Sequence, residues 1–312
     1  MVVDEVAAAP TGDDEAVCRQ YTPAMLAELL RVPAAAIRRW HRRGALIPTR
    51  VVQRLPYFDF AEVAVARRLA QLWHAGCSLG VIDRRLAELA RRTPRSARPL
   101  ADPALVVEGR RLYLRRGDDL AEPGGQLLLD FDAPSPEDDA TAVPAVIALA
   151  SRGGESPAAS LIEQLQDEAL DWEDQGRLDR AAECYRSLLL AAGPIAEIQF
   201  ALADVLYRRG ELPAARERYY AALELDDEYV EARASLGCVL AELGELELAA
   251  ATFAGALQQQ PEFADGHYHL AHVLDRLERR PEAAEHYRAF LHLAPESPWA
   301  DDARARLAAA AP

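Results

Sequence analysis

A mostly α-helical chain is what this 312-residue sequence predicts, with a short β segment in its first third and an α-solenoid at its end. Three observations lead there. Between residues 162 and 297, small, aromatic and proline positions recur every 34 residues. In residues 19–92, apolar residues recur at three-and-four spacing between proline and glycine breaks, the pattern of short amphipathic helices. Charge is also segregated. Residues 19–100 hold 16 Arg against five acidic residues, whereas 162–312 hold 14 Arg against 29 acidic residues, in a chain of net charge −15. Sign asymmetry of this kind points to a module that faces a polyanion.

Composition excludes several classes. Half of the residues are hydrophobic, enough for more than one core. No uninterrupted apolar run reaches the ~18 residues of a membrane span, so no membrane partner is expected. The acidic opening MVVDEVAAAPTGDDEA is unlike a secretory signal and reads, over 1–18, as a disordered acidic segment. Cys18, Cys77, Cys184 and Cys238 are far apart with no CxxC pair, which fits a reducing cytoplasm and offers no zinc site. All 35 basic residues are arginine.

The elements follow in order. Thr22 is an N-cap ahead of Pro23, and PAMLAELL places Met25, Leu26, Leu29 and Leu30 on one face. After a break at Arg31-Val32-Pro33, a second helix runs from about Ala34 to Arg43 and ends at Gly44. Two short helices joined by a tight turn predict a helix-turn-helix, whose second helix fits the DNA major groove. In IRRWHRRGALIP, Ile37 and Trp40 can face inward together, while Arg38, Arg39, His41, Arg42 and Arg43 cover the remaining surface. Guanidinium groups fork onto phosphate or guanine, so this helix is the candidate DNA reader. RVVQRLPYFDF then reads as a β-wing, with Arg50 and Arg54 near the backbone. AEVAVARRLAQLWHAG is a helix with an apolar stripe at Val63, Val65, Ala66, Leu69, Leu72 and Trp73. It stops at Gly76, and Ser78 caps a further helix.

YTPAMLAELLRVPAAAIRRWHRRGALIP followed by YFDFAEVAVARRLAQLWHAGCSLGVIDRRLAEL resembles the MerR-type winged helix-turn-helix family over about 19–92. The shared order is helix, turn, recognition helix ending in Gly-x-Leu-x-Pro, wing, aromatic-Asp, helix, Gly, Ser-Leu, helix. The resemblance implies duplex DNA binding and transcriptional control in a bacterial cytoplasm or nucleoid. It places Arg38, Arg39, Trp40, His41, Arg42 and Arg43 on the recognition helix, and Arg50, Arg54 and Tyr57 on the wing. The chain departs from the family twice. Leu55-Pro56-Tyr57-Phe58 stands where the family's wing carries Gly-Tyr-Arg, and RRTPRSARPLADP replaces the long dimerising helix.

Residues 101–131 read as a short β-hairpin or meander around Gly109-Arg110, a candidate replacement for the dimerisation element or a small structural appendage. Residues 132–159, rich in Pro, Ser, Asp and Ala, read as an acidic flexible linker.

Gly176, Gly210 and Gly244 are spaced by 34, and Glu278 takes the next such slot. Ala181, Ala215, Ala249 and Ala283 recur with the same period, as do Tyr185, Tyr219, Phe253 and Tyr287. This pattern resembles the tetratricopeptide repeat, with four repeats and a capping helix over 162–310. The resemblance implies stacked helix pairs with a concave groove lined by each repeat's first helix. By register the lining includes Glu163, Glu173, Glu197, Phe200, Asp204 and Tyr207, then Glu231 and Glu242, then Tyr268, His272 and Asp275. Such an acidic, aromatic face suits a basic or amphipathic protein or peptide partner. The spacing of His267, His269 and His272 does not bring all three to one helical face, so they are expected as surface histidines and not as a metal site.

The chain shows no phosphate loop, nucleophile elbow, dinucleotide fingerprint or metal spacing, so no enzyme activity, catalytic residue or cofactor is expected. The expectation is a DNA-binding regulator whose repeats bind protein, with homodimerisation possible. The alternative is an adaptor in which both domains bind protein. The +11 block and the −15 repeats are complementary, so each is also a candidate partner for the other.

Overall fold

The computed structural model describes residues 20–92, 98–101, 105–109, 111–116, 119–121 and 157–310. The expected acidic N-terminus and nearly all of the expected linker lie outside these residues.

The N-terminal unit begins with α1 (Pro23–Leu30), α2 (Ala34–Arg42) and the hairpin β1 (Arg50–Val52) and β2 (Leu55–Tyr57). It continues with α3 (Phe60–His74) and α4 (Leu79–Arg92). Its helix starts are set by short-range chemistry. The Thr22 hydroxyl accepts from the Met25 amide at 3.2 Å, the Asp59 carboxylate from Glu62 at 3.0 Å, and the Ser78 hydroxyl from Val81 at 3.2 Å. Met25, Leu26, Ile37, Trp40, Leu46, Phe58, Leu69 and Ile82 are fully buried together, whereas Leu29 lies at the surface. An isolated bridge between Tyr21 and Phe58 ties the start of the unit to the end of the wing.

A 3-10 turn (Pro99–Ala101) and a three-stranded antiparallel meander follow: β3 (Leu105–Glu108), β4 (Arg111–Arg116) and β5 (Asp119–Ala121). The turn and β3 pack on α3, where Leu100 and Leu105 are buried and the Arg68 guanidinium donates to the Leu100 carbonyl. Arg98 closes the seam by gripping the buried Glu62 with two hydrogen bonds of 2.7 and 2.8 Å. The expected strand in QLLLDFD lies outside the described residues.

The C-terminal unit is four helix pairs and a cap. They are α5 (Pro157–Asp174) with α6 (Leu178–Ala192), α7 (Ala196–Arg208) with α8 (Leu212–Leu225), α9 (Val230–Glu242) with α10 (Leu246–Gln259), and α11 (Ala264–Arg276) with α12 (Arg280–Leu293). The cap is α13 (Ala300–Ala310). Helix α5 begins at Pro157, so its first turn takes in residues 157–159, which the sequence pattern assigns to the linker. Proline at the first helical position is why the helix starts there. The periodic residues explain the stack. Ala181, Ala215, Ala249 and Ala283 are buried to 1% exposure or less, letting paired helices approach closely. Tyr185, Tyr219, Phe253 and Tyr287 fill the space between them. The turn inside each pair needs a left-handed residue: Gly176, Gly210 and Gly244 have φ of 70°, 77° and 82°. Glu278 adopts φ 61° in the fourth, so the slot holds its conformation even without glycine.

Candidate nucleic-acid interface

The two units touch. Helix α2 and the wing lie against α5, α7 and α9, the first helices of three repeats, and Thr22 at the start of α1 meets α11. The geometry is built from arginine–carboxylate contacts made far apart in sequence.

On α2, the 3.6-residue period turns Ile37 and Trp40 into the core and leaves the arginines outward. Arg38 donates through Nη1 to Asp204 at 3.0 Å and through Nε to Glu231 at 2.9 Å, with its guanidinium 4.7 Å above the Phe200 ring. Burial disfavours its charge, but Glu231 and Asp204 outweigh that and hold its pKa well above the ordinary arginine value. Arg39 is buried and bridges Asp83 of α4 at 2.8 Å and Asp171 of α5 at 3.2 Å. Arg43 pairs with Asp167 and approaches Asp83 at 3.8 Å. Burial raises the Asp83 pKa, opposed by its hydrogen bond to Arg39. Arg42 is exposed, with a long contact of 3.5 Å to the Arg38 carbonyl. His41 stays within its own unit, near the Leu46 carbonyl at 3.3 Å and edge-on to Phe58.

On the wing, Arg54 pairs with Glu197 and with Asp226 at 2.7 Å, and sits 5.6 Å from the centre of the Tyr229 ring. Arg50 donates to Gln20 at 2.7 Å and to Glu262 at 3.2 Å. Two deeper contacts complete the seam. The Thr22 hydroxyl donates to Asp265 at 2.5 Å, and the Gln260 amide donates to the Tyr57 hydroxyl. At the first repeat, Asp174 of α5 accepts from the Leu79 amide at 2.7 Å, placing a carboxylate at the start of α4 where the helix dipole favours it.

Trp40 and Tyr57, which the resemblance places on the recognition helix and the wing, are both buried. Trp40 has no exposed surface and is a core residue that supports α2, because its indole is large and faces the apolar side of the helix. Tyr57 is buried under Gln260 and Arg50. Arg38, Arg39, Arg43, Arg50 and Arg54 meet carboxylates of the repeats, whereas Arg42 is exposed and borders the cavity between the units.

Glu197, Phe200, Asp204 and Glu231 lie under α2 and the wing. Tyr207, Glu242, Tyr268 and His272 line a separate part of the groove. There Tyr207 donates to Glu242, and Tyr268 donates to Asp302 at 2.9 Å while stacking on Trp299. Asp275 accepts from Tyr287 at 3.0 Å. A cavity of about 340 Å³ lies here, lined by Tyr207, Glu242, Tyr268, His272 and Arg276 among others. Glu163 is exposed, and Glu173 is buried with its carboxylate on Tyr185 and Arg208. His267, His269 and His272 are half-buried and not free at the surface, because neighbouring helices close over them. His269 lies between Phe253 and Trp299, where burial lowers its pKa to about 4. No described group of three or more ligating side chains is arranged for a metal ion, and no described helix is long and apolar enough to cross a membrane.

Sequence reasoning missed the α5 stripe of Asp167, Asp171 and Asp174, and also Asp226, Gln260 and Asp265. One signal was present. Glu163, Glu197, Glu231 and Asp265 occupy the same slot of consecutive repeats, 34 residues apart, so the ladder that holds Arg54, Arg38 and Thr22 is a property of the repeat.

Comparison with known families agrees with this architecture. The family of MerR helix-turn-helix regulatory proteins matches residues 21–89, and a tetratricopeptide-repeat family matches residues 167–230 and 234–298. No curated protein matches. Among solved structures, YrrB, described as a tetratricopeptide protein with an unusual peptide-binding site, is 23% identical with a TM-score of 0.43, over 47% of this chain and 76% of its own. PilF of Pseudomonas aeruginosa is 22% identical with a TM-score of 0.44, over 50% and 69%. MamA of Desulfovibrio magneticus is 16% identical with a TM-score of 0.43, over 48% and 89%. The chain thus joins a MerR-type helix-turn-helix domain to an array of tetratricopeptide repeats.

Proposed function

We propose that this protein is a DNA-binding transcriptional regulator in which the helix-turn-helix unit binds duplex DNA and the repeats bind a protein segment. One observation carries the reading: the outward surface of α2 and the wing is arginine, and the partners it finds in the repeats are carboxylates. A surface that gathers this many oxyanions is suited to phosphates, which present the same acceptor chemistry at higher charge density. Intracellular, non-membrane residence and the absence of catalysis belong to the same reading.

The test is an anisotropy titration with duplex genomic fragments. It uses the parent chain and a chain in which Asp204→Asn and Glu231→Gln loosen the grip on α2. Arg42→Ala with Arg43→Ala is expected to weaken binding at least tenfold and to lower the slope of log affinity against log salt by about one for each phosphate no longer neutralised. Absence of binding at low salt by both chains would falsify the reading.

A second reading, a scaffold that never binds DNA, is favoured by the buried Thr22–Asp265 and Tyr57–Gln260 contacts, which make the seam more than a surface ion-pair zipper. It requires that loosening the seam leave DNA binding absent.

A further inference from the structure

Two places on the repeats are built alike. At the first, Asp204 and Glu231 hold the Arg38 fork from two sides while the Phe200 ring lies under it. At the second, Glu197 and Asp226 hold Arg54 and the Tyr229 ring lies beneath. Each is a guanidinium socket of two carboxylates and an aromatic face, and both sit at the junction of α7 with α9. The combination discriminates. A planar fork can satisfy two acceptors and stack on a ring at once, whereas an ammonium is a compact point charge that does neither as well. Phe200 and Tyr229 are buried, and their rings pack on each other at 5.0 Å, so the floor of the sockets is fixed by packing. Tyr219 adds a second clamp, with its ring 5.8 Å from Phe200 and its hydroxyl directed at Asp204.

The occupant of these sockets is the surface proposed to bind DNA. Arg38 cannot lie 2.9 Å from Glu231 and also reach a phosphate, so the two ligands exclude each other. We propose that the repeat groove is an arginine reader, closed in cis by Arg38 and Arg54, and that an arginine-rich segment of a partner protein displaces them and releases the recognition helix. The release half rests on the DNA-binding reading above; the socket half does not. Beside the sockets, a cavity of about 250 Å³ opens between the units. It is bordered by Arg42, Arg54, Phe200 and Tyr229, a gap into which an incoming side chain can enter before the resident ones leave.

The experiment uses the full chain and a labelled synthetic peptide copying residues 34–57, with a second peptide in which every arginine is lysine. The Arg38→Glu/Arg54→Glu chain, whose sockets are vacated, is expected to bind the arginine peptide at least tenfold more tightly than the parent, and the lysine peptide at least fivefold more weakly than the arginine one. Adding Asp204→Asn, Glu231→Gln, Glu197→Gln and Asp226→Asn to that chain, which neutralises both sockets, should abolish the gain. Equal binding by vacated and parent chains, or equal binding of the two peptides, overturns the proposal. In a second arm the DNA affinity of the parent chain is compared with that of a chain whose sockets are neutralised by Asp204→Asn, Glu231→Gln, Glu197→Gln and Asp226→Asn, with no peptide present. A tenfold rise in DNA affinity supports release, and an unchanged affinity overturns it. If no form of the chain binds DNA at low salt, the DNA reading fails while the peptide arm still decides the sockets. Should light scattering show a parent dimer that Arg38→Glu/Arg54→Glu converts to monomer, the resident arginines come from a second copy and closure in cis is overturned.

Discussion

At Gly237, in the middle of α9, an added Cβ would lie 2.7–2.9 Å from the Phe253 ring, closer than real contacts allow. Phe253 is buried and is the third member of the 34-residue aromatic series, so it has no room to yield. Gly237→Ala is therefore expected to destabilise the repeats by about 1–3 kcal/mol through overpacking, read as a lower midpoint of thermal unfolding. An unchanged midpoint would mean that the ring relaxes freely. Gly80 shows a milder version of the same constraint. Its absent side chain leaves space for Asp171, whose carboxylate oxygen would lie 3.0 Å from an added Cβ, so α4 and α5 meet where Asp171 also holds Arg39. Residues of this kind are hard to read from sequence, since a helical glycine looks like a weak point until its neighbour across the interface is known.

At the scale of elements, the wing turn is the clearest departure from local preference. A two-residue hairpin turn takes positive φ at both central positions, which favours Asn-Gly. Gln53 and Arg54 occupy them with φ 45° and 65°. Left-handed conformation costs a residue with a side chain about 1–2 kcal/mol, and the element accepts it because Arg54 thereby reaches Glu197 and Asp226. Gln53→Gly leaves Arg54 in place and is expected to stabilise the hairpin by about 0.5–1 kcal/mol after glycine's own entropic cost. Slower hydrogen exchange across Arg50–Tyr57 would report it; faster exchange would show that Gln53 is not strained. Most element boundaries were legible. The caps at Thr22 and Asp59, the proline at position 23 and the repeat turns are local signals and act over three or four residues. The start of α5 was not, because a polar, proline-bearing approach looks the same whether it ends in coil or opens a helix.

At the scale of the molecule, the seam should respond to pH through Asp265. Burial is the main cause that raises its pKa to about 7, opposed by the hydrogen bond from Thr22 and reinforced by the nearby Glu231 charge. Freed from the seam, the carboxyl returns towards the ordinary value of about 3.9. A group whose docked pKa is raised favours docking when protonated. Its contribution is thus fully present below about 4 and is lost as pH rises to about 7. The docked arrangement is expected to loosen as pH rises from about 4 to about 7, seen as faster hydrogen exchange in α1 and the wing, and Asp265→Asn should flatten the profile. A seam equally protected at both pH values in the parent chain would show that Asp265 does not feel the docking.

The sequence by itself determined the two kinds of unit, the period of the solenoid and the opposite charges of the two halves, because each depends on spacings within a few turns of chain. Only the tertiary structure decided where the arginines point. Arg38 meets partners 166 and 193 residues away, and Arg54 one that is 143 residues away. Net charge says that such halves attract. Which carboxylate receives which guanidinium depends on the curvature of the stack and the tilt of α2, which are set by the packing of buried side chains across units and not by any local pattern.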